Sequence, residues 1–448
     1  MVSYRVRLFS LLWSVAVIFS LTSSSAWLVD IANFWSFHLA SIIGVFLLFR
    51  PESRILFRVS IISFIVLAFT IMPAIQNHRM VLAFAGVALL MGSWRDEKWS
   101  RSISDLRWLT IIVYLFAALA KCNADYLRDD ISCATIFLRQ SLELNGFGGV
   151  EIPSFLSGGS VSGLWSFLVE ALLIILLIPR KTRAFGVLFG FSFHFLLATN
   201  YIKYFTNFSS VMFLVLSSWL TEEQCEYLVK GFFERYLRWF RFGVPLLFVS
   251  LTLSATGVLS PILWIVFRYI LWSAFAIPIC WVLCKVTIAT RAVRDSTTLP
   301  LPHFVFVFIA LLNGFSPYLG IRTLSTFSMY SNLRVEPDYT NHLFMPKSAN
   351  LLPYLGDTVK ILSSSDSYFV ELVNSPTQRL PYLQLCSYIA EMDDRGREQD
   401  YEVTFERKGI SYRAIRGGSL PADCPPWIAR KLLRYGSIGD GAERQCVW

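Results

Sequence analysis

The sequence predicts an all-α polytopic membrane helix bundle with a small C-terminal α+β extramembrane region. Three observations predict it. Of 448 residues, 55% are hydrophobic and only 16% are charged, where a soluble chain carries roughly 25% charged residues. The mean hydropathy is +0.53. Apolar runs recur from the N-terminus to residue 320, many of them near the length of about 20 residues that one hydrocarbon crossing requires. The 38 Phe and 14 Trp suit lipid-facing helices and interfacial belts.

Candidate spans fall at residues 8–28, 33–50, 55–75, 79–92, 108–121, 161–179, 183–200, 207–220, 243–258, 261–284 and 303–320, a count of ten or eleven helices. The runs at 79–92 and 108–121 are short, so they borrow neighbouring residues or sit partly re-entrant. The first run follows Arg5 and Arg7 and ends in Ser23-Ser24-Ser25-Ala26. It reads as a cleaved signal peptide or as an uncleaved first helix, and the spans downstream, which need neighbours, favour the helix.

The net charge of +9 is carried mostly in short loops between apolar runs. That placement orients a membrane protein and argues against nucleic acid as a partner. With a cytoplasmic N-terminus, the inside loops Arg50–Arg54, Trp94–Arg107, Arg180–Arg183, Thr221–Arg241 and Lys285–Arg294 all carry Lys or Arg clusters. The opposite loops, around Asp30, around Asn77, at 122–160, around Asn200 and at Gly257–Ser260, are poor in them. An odd number of spans then places the chain from residue 321 onward outside, in a multi-pass protein of the inner or cytoplasmic membrane.

That orientation sorts the cysteines. Cys122, Cys133, Cys386, Cys424 and Cys446 fall outside, where disulfides persist. Five is odd, and connectivity is not legible. Cys280 and Cys284 lie in an apolar run as packing residues. There is no CxxC pair and no metal-ligand spacing, so no metal site is expected. Residues 346–448 read as a small extracytoplasmic α+β appendage lying against the membrane. Within it Tyr401–Phe405 and Ile410–Ile415 flank Arg407-Lys408-Gly409 as a β-hairpin. Pro425-Pro426 precedes an amphipathic stretch, Trp427–Tyr435, with Arg430, Lys431 and Arg434 on its polar side.

Ionisable residues inside spans are expensive and are functional candidates by default. Here they are His38, Lys121, Glu170, His194 and Arg268, with His78 at the mouth of a span. Their depths allow all six to line one cavity open to the outside. Other readings compete: Glu170 pairs with Arg268, Lys121 snorkels to the interface, and His194 hydrogen-bonds a neighbouring helix. Asn207-Phe208-Ser209 forms an outward-facing glycosylation triplet.

Ala118-Leu119-Ala120-Lys121-Cys122-Asn123-Ala124-Asp125-Tyr126-Leu127 resembles the catalytic-lysine segment of vitamin K-dependent γ-carboxylases. It is equally similar to that of bacterial proteins with the horizontally transferred transmembrane (HTTM) domain. Gln76-Asn77-His78-Arg79-Met80 looks like the family's Asn-His pair. Glu170, Arg180–Arg183, Gly186 and Phe193-His194 resemble its acidic helix, basic turn and Phe-His helix. Asn313-Gly314-Phe315-Ser316-Pro317-Tyr318-Leu319-Gly320, running into Ser328-Met329-Tyr330-Ser331-Asn332-Leu333-Arg334, resembles a bacterial HTTM segment. The resemblance covers residues 1–345.

The resemblance implies a carbon–carbon lyase of the carboxylase type, with a reduced vitamin K-type quinone as cofactor and O2 and CO2 as co-substrates. Lys121 would be the general base and His78 would lie beside the quinone oxygen, with Asn77, His194 and Glu170 lining the pocket. Membrane lipid, a lipid-soluble quinol and an extracytoplasmic peptide would be the partners. A lysine serves as a base near neutral pH when burial lowers its pKa from about 10.4. This chain departs from the animal enzymes in carrying Ala120 for the first of two lysines, Asn123 for an Asp and Tyr126 for a Trp. It also lacks their long lumenal substrate-gripping region. A different class of function, a non-catalytic transporter or assembly scaffold on the same helical frame, uses the same polar groups to bind a solute or hold the bundle.

Overall fold

A computed structural model describes residues 3–22, 34–94, 96–128, 131–147, 159–200, 205–289, 301–374, 378–394, 402–415 and 423–439. The chain is mostly helical and ends in a small sheet. The helices are α1 (Tyr4–Leu21), α2 (Phe34–Phe49), α3 (Arg54–Thr70), α4 (Asn77–Ser93), α5 (Asp96–Lys121), α6 (Cys133–Leu144), α7 (Gly159–Leu177), α8 (Arg183–Leu197), α9 (Phe205–Leu216), α10 (Glu222–Leu228), α11 (Glu234–Ala255), α12 (Pro261–Ala289) and α13 (Phe304–Leu319). Among the described residues, three stretches are long and apolar enough to cross a membrane: Tyr4–Leu21, Lys98–Lys121 and Pro261–Thr287. Six shorter helices are similarly apolar.

Position in the bundle follows from how apolar residues are distributed round each helix. α1 is apolar on all sides, and a helix with no polar face belongs in a core. Its residues from Leu8 to Leu21 are all buried, packed against α2, α9 and α10. α3 instead carries Ile55, Val59, Ile62, Val66 and Phe69 on one exposed stripe. α12 does the same with Leu263, Ile270, Ile277 and Trp281.

Two segments expected as inside loops are helical. Trp94–Arg107 contributes most of its length to α5, so the short run at 108–121 needs no re-entrant geometry: the helix begins at Asp96. Thr221–Arg241 holds α10 and the first turns of α11, and Thr221 and Gln224 close a reciprocal capping box. Several basic residues cap helix ends. Arg58 donates to the Ser93 carbonyl, Arg107 to Ser218, Arg183 to Leu177 and Arg241 to Leu48. Each thereby satisfies a C-terminal carbonyl and opposes the negative end of a helix dipole.

The C-terminal region comprises β1 (Thr358–Ser364), α14 (Ser367–Val373), β2 (Gln378–Pro381), α15 (Tyr382–Asp394), β3 (Glu402–Arg407), β4 (Ile410–Ile415), α16 (Trp427–Leu432) and β5 (Ile438–Gly439). Its antiparallel sheet has the order β4-β3-β1-β2-β5. The expected hairpin is β3–β4, and Lys408 and Gly409 take φ of 53° and 77° at its tip. Two successive left-handed residues match the twist of a two-residue hairpin, and glycine adopts the second at no steric cost. Val359, Phe369, Leu380, Leu385, Val403 and Phe405 form the core of this region. Cys386 bonds Cys424, and Cys133 is also disulfide-bonded; Cys446 lies outside the described residues. The region rests on the bundle. Tyr435 donates to the Gly320 carbonyl at 3.2 Å, Thr323 N–H to Arg434 at 3.0 Å, and Lys431 to the Thr70 carbonyl at 2.7 Å.

Candidate functional site

Lys121 is the last residue of α5, where the negative end of the helix dipole favours its charge. Its Nζ donates to both carboxylate oxygens of Glu170 on α7, at 2.8 and 2.6 Å, and to the Ala117 carbonyl at 3.4 Å. The two side chains are only 4% and 12% exposed. Either charge alone at that burial would cost several kcal/mol, on the order found for unpaired buried ions. Neither the pairing expected between Glu170 and Arg268 nor a snorkelling Lys121 is present.

Tyr126 closes the site from above, its ring centre 5.8 Å from Lys121 Nζ. One face of α7 shapes this contact through Gly163, Ser166 and Glu170, residues three and four apart and therefore stacked. A Cβ on Gly163 would stand 2.5 Å from the Tyr126 carbonyl oxygen, so the close approach needs glycine. Ser166 hydrogen-bonds the Tyr126 side chain. The Tyr126 N–H donates to Asn123 Oδ1 at 2.8 Å.

Two turns earlier on the same face of α5, roughly 10 Å along the axis, lies Tyr114. Its hydroxyl meets His194 Nε2 at 2.7 Å. His194 is fully buried between Phe193 and Phe208, and its Nδ1 has no hydrogen-bond partner. The charge of Glu170 acts on Tyr114 as well as on Lys121. The two pairs, Lys121–Glu170 and Tyr114–His194, are thus buried along one face of α5, each closed on itself.

A loop from Ser331 to Met345 straps the Lys121 end of α5. Asn123 Nδ2 donates to the Ala120 carbonyl at 2.7 Å and to that of Ser331. Asn341 Nδ2 donates to Asp125 Oδ2 and the Asn332 carbonyl, each at 2.8 Å. His342 Nε2 lies 2.9 Å from the Leu119 carbonyl, and its Nδ1 accepts from the Phe344 and Met345 N–H groups. Burial pulls the His342 pKa down, while the Leu119 bond opposes it. Burial pushes the Cys122 thiol up, with Lys121 acting the other way.

His78 belongs to a second cluster. It hydrogen-bonds the Ser20 carbonyl, the charges it feels are Arg79 and Arg268, and its Nε2 is enclosed without a partner. Arg79 donates to Ser20 at 3.0 Å. Arg268 donates to Thr206, Asn207 and the Phe19 carbonyl. Asn207 is therefore buried on α9 and is not a glycan acceptor. Asn77 is half-buried at the first turn of α4, and His38 half-buried on α2. Among the described residues no cluster of His, Cys, Asp and Glu is suited to hold a metal ion.

No family model matches the chain, and no curated protein or solved structure matches it. Sequence reasoning passed over Tyr114, Asn341 and His342. Tyr114 had a signal, its spacing of seven residues from Lys121 on one helix face. The strap residues had none, because their role depends on a contact across some 220 residues of chain.

Proposed function

We propose that the chain is a multi-pass membrane protein whose outer end carries a buried proton-transfer site, Lys121–Glu170 with Tyr114–His194, serving quinol-linked chemistry of the carboxylase type. The crossings are α1–α5, α7–α9 and α11–α13, with the N-terminus inside and the C-terminal region outside. The exposed apolar stripes of α3 and α12 support lipid contact. Basic helix-end caps on one side and disulfide-bonded Cys133 and Cys386–Cys424 on the other support the orientation.

One observation carries the site: an ammonium and a carboxylate 2.6 Å apart, nearly sealed from water, in a largely apolar helix bundle. The carboxylate can accept a proton from a bound hydroxyl, and the lysine can do so once its own proton has passed to the carboxylate. Lys121 holds the resulting charge and Tyr126 excludes water. His78 sits against the Ser20 carbonyl, and its Nε2 has no hydrogen-bond partner. On this reading the two partnerless ring nitrogens, Nε2 of His78 and Nδ1 of His194, are the polar points left for a quinol oxygen, each in its own cluster. A reduced vitamin K-type quinone with O2 and CO2 would supply the reducing equivalents and the strong base that no side chain provides.

The test is quinol oxidation by purified protein. Lys121→Ala alone is a poor variant, because it strands Glu170. The pair replacement Lys121→Met with Glu170→Leu removes both charges at similar volume. It should fold and lose at least about 100-fold in turnover, the usual scale for a removed acid–base group. Full turnover in that variant rejects the proposal.

A second reading rests on the mutual satisfaction of the pair: a non-catalytic transporter or scaffold in which it only joins α5 to α7. Wild-type protein that consumes no quinol, together with a stable pair replacement, would favour it.

A further inference from the structure

At the opposite end of α5 from Lys121, a cavity of about 610 Å³ opens between α4 and the start of α13. Its walls are apolar: Phe84, Val87 and Met91 from α4, and Phe306 and Ile309 from α13. Phe84 meets Phe306 edge-on across the wall and is backed edge-on by Phe327. Phe304 and Val305 at the mouth are 80% and 66% exposed, continuous with the apolar outer surface of α13.

The rim is different in kind. Arg101, exposed on α5, lines the cavity together with His303. His303 is held from behind: fully buried Asp105, one turn from Arg101, accepts from its backbone N–H at 2.7 Å and meets its Nδ1 at 2.6 Å. With Nδ1 engaged, Nε2 is the ring atom left for a ligand. His303 is also the N-cap of α13 and makes no side-chain cap bond, so the first-turn N–H groups of that helix add positive potential.

We propose that this cavity is a lipid-binding site for an anionic phospholipid of the inner leaflet. The phosphate lies at Arg101, His303 and the α13 N-terminus, and one acyl chain lies along Phe84, Val87 and Ile309. Charge complementarity selects the headgroup, since the cytoplasmic leaflet is the anionic one. The continuity of apolar wall with apolar outer surface selects a lipid over a soluble anion.

Native mass spectrometry of the full chain in neutral detergent tests this, with phosphatidylglycerol and phosphatidylcholine of identical acyl chains as probes. The expected result is one retained phosphatidylglycerol, preferred about tenfold, a difference of about 1.4 kcal/mol. Arg101→Ala should erase the preference while leaving weak binding of both lipids. Val87→Trp, which fills the cavity, should abolish retention of both. Equal retention of the two lipids by the wild type overturns the proposal. So does an unchanged preference in Arg101→Ala, or displacement of the lipid by millimolar inorganic phosphate.

Discussion

Lys121 and Glu170 show how a buried pair differs from two buried residues. Removing one partner leaves the other charged in an apolar surround, so Lys121→Ala should destabilise the folded protein by about 3–5 kcal/mol. The replacement of both, Lys121→Met with Glu170→Leu, should fall within about 1 kcal/mol of wild type. Thermal unfolding of the detergent-solubilised protein checks both, and equal losses would mean the two groups are not coupled. Tyr114→Phe strips His194 Nε2 of its partner and should cost about 1–3 kcal/mol by the same measurement. Away from the bundle, hydrogen bonds from Tyr382 and Arg407 hold the Asp423 carboxyl below its ordinary range. A depressed carboxyl contributes in full above its unfolded pKa of about 3.9 and loses that contribution as pH falls through the lower folded value. Proteolysis of the 402–415 hairpin should therefore be unchanged from pH 7 to 5 and rise below about pH 4. A rise already at pH 6 would assign the clasp to another group.

Helices and strands were legible where their signal is local. The β3–β4 tip follows from Lys408-Gly409 between alternating runs, and the apolar helices follow from composition. Boundaries were less so. Asp96 to Arg107 is polar enough to read as a loop, yet it is helix, because Arg107 finds the Ser218 carbonyl and Asp105 finds His303. Those partners lie more than a hundred residues away in sequence, and they turn a costly polar stretch into a satisfied one. The α7 stripe of Gly163, Ser166 and Glu170 is another element-level feature. Gly163→Ala brings a methyl group against the Tyr126 backbone, which cannot yield as a flexible side chain would. It should cost about 1–3 kcal/mol and raise hydrogen exchange selectively over residues 123–128. Unaltered exchange there would show that Tyr126 is not held by α7.

For the molecule as a whole, orientation and attachment are the measurable quantities. Protease added outside sealed cells should cut the 402–415 hairpin, and resistance there with cleavage only after lysis would invert the proposed topology. The Cys386–Cys424 link closes a separation of 38 residues. Replacing both with Ser should lower the stability of the C-terminal region by about 2–5 kcal/mol, read as its own unfolding transition. The helical bundle, with a separate core, should keep its melting behaviour.

Composition and charge placement alone established an apolar, mostly helical chain with a polar, sheet-bearing end, because burial preference and loop charge are properties of single segments. They also singled out Lys121, Glu170, His78 and His194, since an ionisable group among apolar neighbours stands out without a structure. Which of these meet was decided by tertiary structure. Helix faces pair according to where small residues permit close approach, as at Gly163, and no single segment encodes the rotation of its neighbour. So Glu170 found Lys121 rather than Arg268, His194 found Tyr114, and His78 was drawn to the end of α1 among arginines.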